Sequence, residues 1–287
     1  MSRAIERLVA DELAQPVDKA VAGMAAAIAE RHGAASRSVL FYGSCLRQKQ
    51  LDGLMLDFYL IVSDYRRAYD KPWLARANAL VPPNVFPFQH DGLAAKYAVL
   101  SEADFHRLNG PETRNVSVWA RFAQPSRLVW AADEFASKAA VAAVARAAPT
   151  LLGAAGPVAG EAPLDWWRRA FALTYSAELR AERKGRSGSV VDADAERYQR
   201  FSAPASAAIE AGAPSGGWAR RRIEGKALSV VRLAKASATY AGGADYIVWK
   251  INRHAGTAFV LKPWQRRHPL LGALSLLPRL LRSGAVR

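Results

Sequence analysis

The segment Val39-Leu-Phe-Tyr-Gly-Ser-Cys-Leu-Arg-Gln48, followed by Gly53-Leu-Met-Leu-Asp-Phe-Tyr-Leu-Ile-Val62, constrains this chain more than any other. Its two apolar runs, 38–42 and 54–62, read as strands joined through a Gly43-Ser44 turn. Glycine lets backbone approach a phosphate closely, and a serine hydroxyl with turn amides can donate to phosphate oxygens. Asp57 stands inside the second run, where an unpaired charge costs several kcal/mol. Such an acid calls for a metal or a cationic partner. A Gly-Ser turn alone is common between strands; it is the acid in the neighbouring apolar run that adds meaning.

Around this pair the pattern predicts a helix over 1–32, with Gly33 as its stop, and a helical stretch over 66–80 ending at Val81-Pro-Pro-Asn84. Strands are expected at 85–89 and 94–101, joined by an Asp91-Gly92 hairpin turn. This gives an α+β domain over 1–130. Residues 131–217 read as a mostly helical, alanine-rich domain, divided by a Gly/Pro/Ala linker at 153–163. Residues 218–287 form a basic C-terminal region with a helix at about 220–240, then 245–251 and a leucine-rich piece at 268–282.

The net charge of +15 is concentrated in that last region, where 14 Lys/Arg meet two acids, Glu224 and Asp245. A tail so poor in acids implies an anionic surface, either nucleic acid or membrane phosphates. A solvated arginine-rich face is the plainer alternative. The single cysteine, Cys45, can form no internal disulfide, which suits a reducing compartment. With no convincing histidine partner it reads as a small loop residue rather than a nucleophile. His32, His90, His106, His254 and His268 have no metal-ligand spacing, so no zinc site is expected. Charged residues interrupt the N-terminal region, so no secretory signal is expected there, and no run approaches 18 uncharged apolar residues.

The Gly-Ser turn followed by Asp57 resembles the signature of the polymerase-β-like nucleotidyltransferase superfamily. Within it the chain resembles the mitochondrial-type CDP-diacylglycerol synthases, the translocator assembly and maintenance family. The likeness runs in order through Phe41-Tyr-Gly-Ser-Cys-Leu-Arg-Gln48, Met55-Leu-Asp-Phe58 and Lys96-Tyr-Ala-Val-Leu-Ser101. It continues through Ala120-Arg-Phe-Ala-Gln-Pro125, Leu173-Thr-Tyr-Ser-Ala-Glu-Leu-Arg180 and Ser229-Val-Val-Arg-Leu-Ala-Lys235, covering about residues 39–242. Cys45 departs from a small glycine, Gln124 from a basic residue, and Ala177-Glu178 from Gly-Asp. Tyr59 stands where the superfamily usually has a second acid.

The resemblance implies a polymerase-β-like nucleotidyltransferase domain followed by a helical domain and a basic amphipathic C-terminal segment. It implies phosphatidate cytidylyltransferase activity, in which CTP and phosphatidic acid give CDP-diacylglycerol and diphosphate with Mg²⁺ or Mn²⁺. It carries catalytic roles to Asp57 and Lys96, and nucleotide binding to Tyr42, Gly43, Ser44, Arg121, Tyr175, Glu178 and Arg180. Asp57 becomes a metal ligand, with Asp91 as the second candidate and Asp64 behind it. Lys235 joins the phosphate-binding cations. Each of these residues also has an ordinary reading: Lys96 as a snorkelling strand lysine, the other cations in surface ion pairs, Glu178 as structural, Tyr175 as a packed aromatic.

The C-terminus is expected to lie on the cytoplasmic face of the inner membrane as a peripheral anchor. Leu270 to Leu281 is 12 residues, about 18 Å as a helix against a hydrocarbon core of about 30 Å, so it cannot span. Leu270, Leu271, Leu274, Leu277 and Leu281 share one helical face, flanked by Lys262, Arg266, Arg267, Arg279, Arg282 and Arg287, with Trp264 at the interface. Packing of this leucine face on the protein's own core is the alternative. Leucines set between arginines suit lipid better than nucleic acid, so no nucleic-acid partner is expected. Nucleotidyl transfer to RNA or another polar acceptor, and a degenerate nucleotide-binding module, are the competing functions.

Overall fold

The computed structural model describes residues 3–47, 54–178, 190–239, 260 and 262–267. Two helices open the chain, α1 (Arg3–Leu13) and α2 (Lys19–Arg31), where one was expected. Pro16 makes the break, since it lacks an N–H and biases the residue before it away from helical backbone. Asp18 restarts the helix, its carboxylate accepting from the Ala20 N–H at 2.7 Å.

Five strands form one mixed sheet: β1 (Ser36–Tyr42), β2 (Met55–Val62), β3 (Asn84–His90), β4 (Leu93–Ser101) and β5 (Ser126–Ala131). Their order is β3-β4-β2-β1-β5; β2 and β4 run parallel and the other neighbours antiparallel. The α+β class expected from the sequence is the class observed. The crossover from β2 contains two short helices, α3 (Tyr65–Ala68) and α4 (Pro72–Leu80), in place of the single stretch expected. Asp64 caps α3 through the Arg66 N–H at 2.7 Å, and Pro72 starts α4 where a missing N–H costs nothing. The β3–β4 turn is at Asp91-Gly92, with φ of 47° and 77°, the left-handed pair that a two-residue hairpin requires.

Period-two alternation divides the strands between two cores. Val39, Phe41, Phe58, Leu60, Val62, Tyr97 and Val99 face Met24, Ala25 and Ile28 of α2. Leu40, Tyr59, Ile61, Ala98 and Leu100 face the other way, against α1 and the later helices. Those later helices are α5 (Glu102–Asn109), α6 (Trp119–Phe122), α7 (Glu134–Ala145), α8 (Ala147–Ala155) and α9 (Pro163–Ala177). They are followed by α10 (Ala195–Ala207), α11 (Trp218–Thr239) and α12 (Pro263–Arg267). One buried cluster runs from Ile5 through Phe105, Phe122, Leu151 and Trp167 to Tyr198, so it crosses the boundary expected at residue 130.

A buried ion pair ties the first helix to this assembly. Arg197 of α10 donates two hydrogen bonds to Glu12 of α1 and a third, at 3.0 Å, to the Ala123 carbonyl closing α6. Among the described residues, the stretch Glu134–Ala155 is long and apolar enough to cross a membrane by length and composition. Its apolar 18-residue window is 67% buried within the protein, and the stretch is interrupted at Arg146, between α7 and α8.

Candidate functional site

Tyr42, Asp57 and Lys96 lie side by side on neighbouring strands: Tyr42 is opposite Asp57 on β1 and β2, and Asp57 opposite Lys96 on β2 and β4. Alternation points Asp57 to the same sheet face as Tyr59, beyond the end of the apolar core. The Lys96 ammonium is 2.8 Å from Asp57 Oδ1, with about a fifth to a quarter of each side chain exposed. The cationic partner that Asp57 demanded is therefore built into the sheet, and Asp57 supplies anionic company for Lys96.

Gly43 follows with φ of 95°, a left-handed conformation that favours glycine. A β-carbon here would lie 3.3 Å from Asp57 Oδ2, so glycine leaves that oxygen open toward the turn. Ser44 begins the short 3₁₀ turn Ser44–Arg47 and is exposed. Cys45 is buried against the Met55 carbonyl at 3.6 Å, and burial, followed by the charge of Asp57, pushes its thiol pKa up. That is the reverse of an activated nucleophile and agrees with its reading as a small loop residue.

Beside this pair a cleft of about 160 Å³ is lined by Tyr42, Tyr59, Lys96, Ser117, Arg121, Arg232 and Lys235, among others. Arg121 comes from α6, and its Nη1 is 3.6 Å from Glu178, the residue that ends α9. Burial works to lower the Arg121 pKa, but the Glu178 carboxylate outweighs it and keeps the guanidinium charged. Burial, and then Asp57, raises the Tyr42 pKa; burial raises that of Tyr59. Both phenols stay neutral.

The opposite wall is α11. Arg232 donates to the Pro82 carbonyl at 2.9 Å and to Ser117 Oγ at 2.7 Å. Lys235, three residues on and so on the same helical face, donates to the carbonyls of Val81 and Pro83, the latter at 2.8 Å. Burial, with Arg232 next, pulls the Lys235 pKa down to about 7. The cleft thus gathers four cations, Lys96, Arg121, Arg232 and Lys235, around two carboxylates, Asp57 and Glu178. Excess positive charge in a recess suits a phosphorylated ligand.

Of the residues expected here, Tyr42, Gly43, Asp57, Lys96, Arg121, Glu178 and Lys235 come together. Tyr175 is half-buried against the apolar cluster, as a packed aromatic. Asp91 is not beside Asp57: it occupies the exposed hairpin tip, 3.4 Å from His90 and several registers beyond Lys96. Asp64 caps α3 past the other end of β2. Arg180 lies outside the described residues, as do Leu270, Leu271, Leu274, Leu277, Arg279, Leu281 and Arg282. Trp264 is exposed on α12, which also carries Arg266 and Arg267 in its backbone. Sequence reasoning missed Arg232 and Ser117; the three-residue spacing of Arg232 from Lys235 was the available signal.

Among the described residues no group of three or more His, Cys, Asp or Glu side chains could hold a metal. One carboxylate with an open oxygen still fits Mg²⁺, which commonly takes one or two protein carboxylates and fills its remaining positions with phosphate and water oxygens. No protein-family model matches the chain, and no curated protein matches it.

Proposed function

We propose that this protein is a nucleotidyltransferase. The observation that carries the reading is the open Asp57 oxygen beside the Gly43 turn, at the edge of a recess holding four cations. More particularly, we propose a phosphatidate cytidylyltransferase of the mitochondrial type, on the ordered motifs that resemble that family. A phosphatidate oxygen would attack the α-phosphorus of CTP, the bond to the β-phosphate oxygen would break, and diphosphate would leave. The protein's part in such a transfer is positioning and charge neutralisation.

In this reading Gly43 and Ser44 approach the outgoing phosphates, and Asp57 is the residue that would hold Mg²⁺ or Mn²⁺. The metal would supply charge neutralisation of the triphosphate. Lys96 pairs with Asp57, while Arg121, held by Glu178, and Lys235 counter phosphate charge from the two walls. The basic C-terminal region would rest on the anionic cytoplasmic face of the inner membrane, as a peripheral attachment, with no nucleic acid involved. A polymerase-β-like arrangement of the sheet belongs to the same proposal.

The decisive assay incubates the protein with Mg²⁺, labelled CTP and phosphatidate vesicles. A lipid-soluble cytidine product is expected. Absence of such a product with every nucleoside triphosphate and either metal would overturn the proposal. A second reading, a non-catalytic nucleotide-binding module, is favoured by Lys96 occupying one side of Asp57. Tight CTP binding without product would support it, and transfer to RNA instead of lipid would point to a polar acceptor.

A further inference from the structure

We propose that Ser117, Arg121, Arg232 and Lys235 form an anion subsite for a phosphomonoester, distinct from the Gly43–Asp57 end of the cleft. Assigning that phosphomonoester to the acceptor, phosphatidate, rests on the nucleotidyl-transfer reading. The existence of the subsite does not.

The first support is unbalanced charge. Arg232 and Lys235 form no ion pair among the described residues; their hydrogen bonds go to Pro82 and Ser117, and to Val81 and Pro83. Neutral oxygens satisfy donors without cancelling charge, so two half-buried cations are left side by side. Ser117 is 2% exposed, and its hydroxyl, already accepting from Arg232, keeps its own proton to give. The carboxylate on this side, Glu178, is committed to Arg121.

The second support is position. Tyr59 is two residues along β2 from Asp57 on the same sheet face, about 7 Å away at strand rise. Arg121, Arg232 and Lys235 line the same cleft as Tyr59, Tyr42 and Lys96, so the cationic pole adjoins the Asp57–Lys96 pair on that sheet face. A nucleophilic phosphate must be brought against a phosphorylated nucleotide that repels it. A second positive pole at this spacing relieves that repulsion.

Lys235 gives the subsite a signature. The titratable groups that line the cleft with it are Arg232 on its own helix, Tyr42, Tyr59 and Lys96 on the sheet, and Arg121 on α6, with Asp57 and Glu178 as the partners of Lys96 and Arg121. With its pKa near 7 when the cleft is empty, Lys235 gains a proton when an anion arrives. Binding above neutral pH therefore takes up a proton, and affinity rises as pH falls toward neutrality.

The test is calorimetric titration of the full-length protein with inorganic phosphate, dihexanoyl phosphatidate and CTP, in buffers of different ionisation enthalpy at about pH 8.5, with folding checked by circular dichroism. Arg232→Gln and Lys235→Gln should each weaken phosphatidate by about tenfold or more, the loss of one charge-assisted hydrogen bond, and CTP far less. Lys235→Arg, which keeps charge, should retain binding but lose the proton uptake. Equal affinity for phosphate and phosphatidate in wild type and both Gln variants, or no binding of either in wild type, overturns the subsite. Variants that weaken CTP as much as phosphatidate overturn its assignment to the acceptor. Anion binding that follows these expectations in a protein inactive in the transfer assay would sink the transferase reading and leave the subsite standing.

Discussion

Gly225 of α11 crosses α9 so closely that a β-carbon there would overlap the carbonyl oxygen of Ala177. Immediately after Ala177 comes Glu178, which holds Arg121; two turns after Gly225 comes Arg232. A single backbone crossing therefore sets both cationic walls of the cleft. Gly225→Ala is expected to push the helices apart and to cost about 1–3 kcal/mol, as overpacking at a tight contact does. Chemical denaturation measures this; an unshifted midpoint would show that α11 moves away freely.

Asp57→Asn preserves shape while removing the charge next to Lys96. Nucleotidyl transfer should fall by on the order of 10²–10³, as for loss of a principal electrostatic stabiliser, with circular dichroism unchanged. Wild-type turnover in the folded variant would take Asp57 out of the chemistry.

The Glu12–Arg197 pair is almost wholly buried, with side-chain exposures of 8% and 4%. Glu12→Gln would leave the Arg197 charge uncompensated at the junction of α1, α6 and α10. An unfolding free-energy loss of about 3–5 kcal/mol is expected, the usual result of breaking a buried pair by removing one partner. A loss no larger than that of an exposed ion pair would mean that water reaches Arg197.

His32 provides a pH test. Its ring is held between the Ala68 carbonyl at 2.9 Å and the Tyr97 hydroxyl at 3.1 Å. Burial lowers its pKa, helped by Arg31 and opposed by the Ala68 carbonyl and Asp70. A lowered histidine pKa means that the unfolded chain binds the proton more readily. Stability should therefore be full above the unfolded value of about 6.5 and decline as pH falls below it. Urea midpoints across that range should fall less steeply in His32→Gln than in wild type.

Much of the sheet was legible because its cues are local. Asp57 interrupting an apolar strand signalled a partner, and Asp91-Gly92 signalled a hairpin of the kind observed. The identity of the partner was not legible: Lys96 meets Asp57 only through a parallel pairing that forms after a two-helix crossover. The Glu12–Arg197 pair spans 185 residues and leaves no local trace. β5 escaped because Arg127 breaks its apolar pattern and its residues are mostly half-exposed, as suits an edge strand. The helix breaks at Pro16 and Pro72 were within reach; apolar spacing across them masked the punctuation. Arg232 was hidden by its setting in an arginine-rich helix, where any one cation looks like surface.

The parallel ladder between β2 and β4 decides more than the shape of the sheet. Residue 57 meets residue 96 because every rung from Met55–Ala94 to Val62–Ser101 is fixed. The connection after Gly43 could therefore change length without separating the two charges. Adding a single residue at the start of β4 could not: the shifted pleat would turn Lys96 to the opposite face, toward α2, and leave Asp57 facing an alanine. This pair tolerates drift in its loops and none in its rungs.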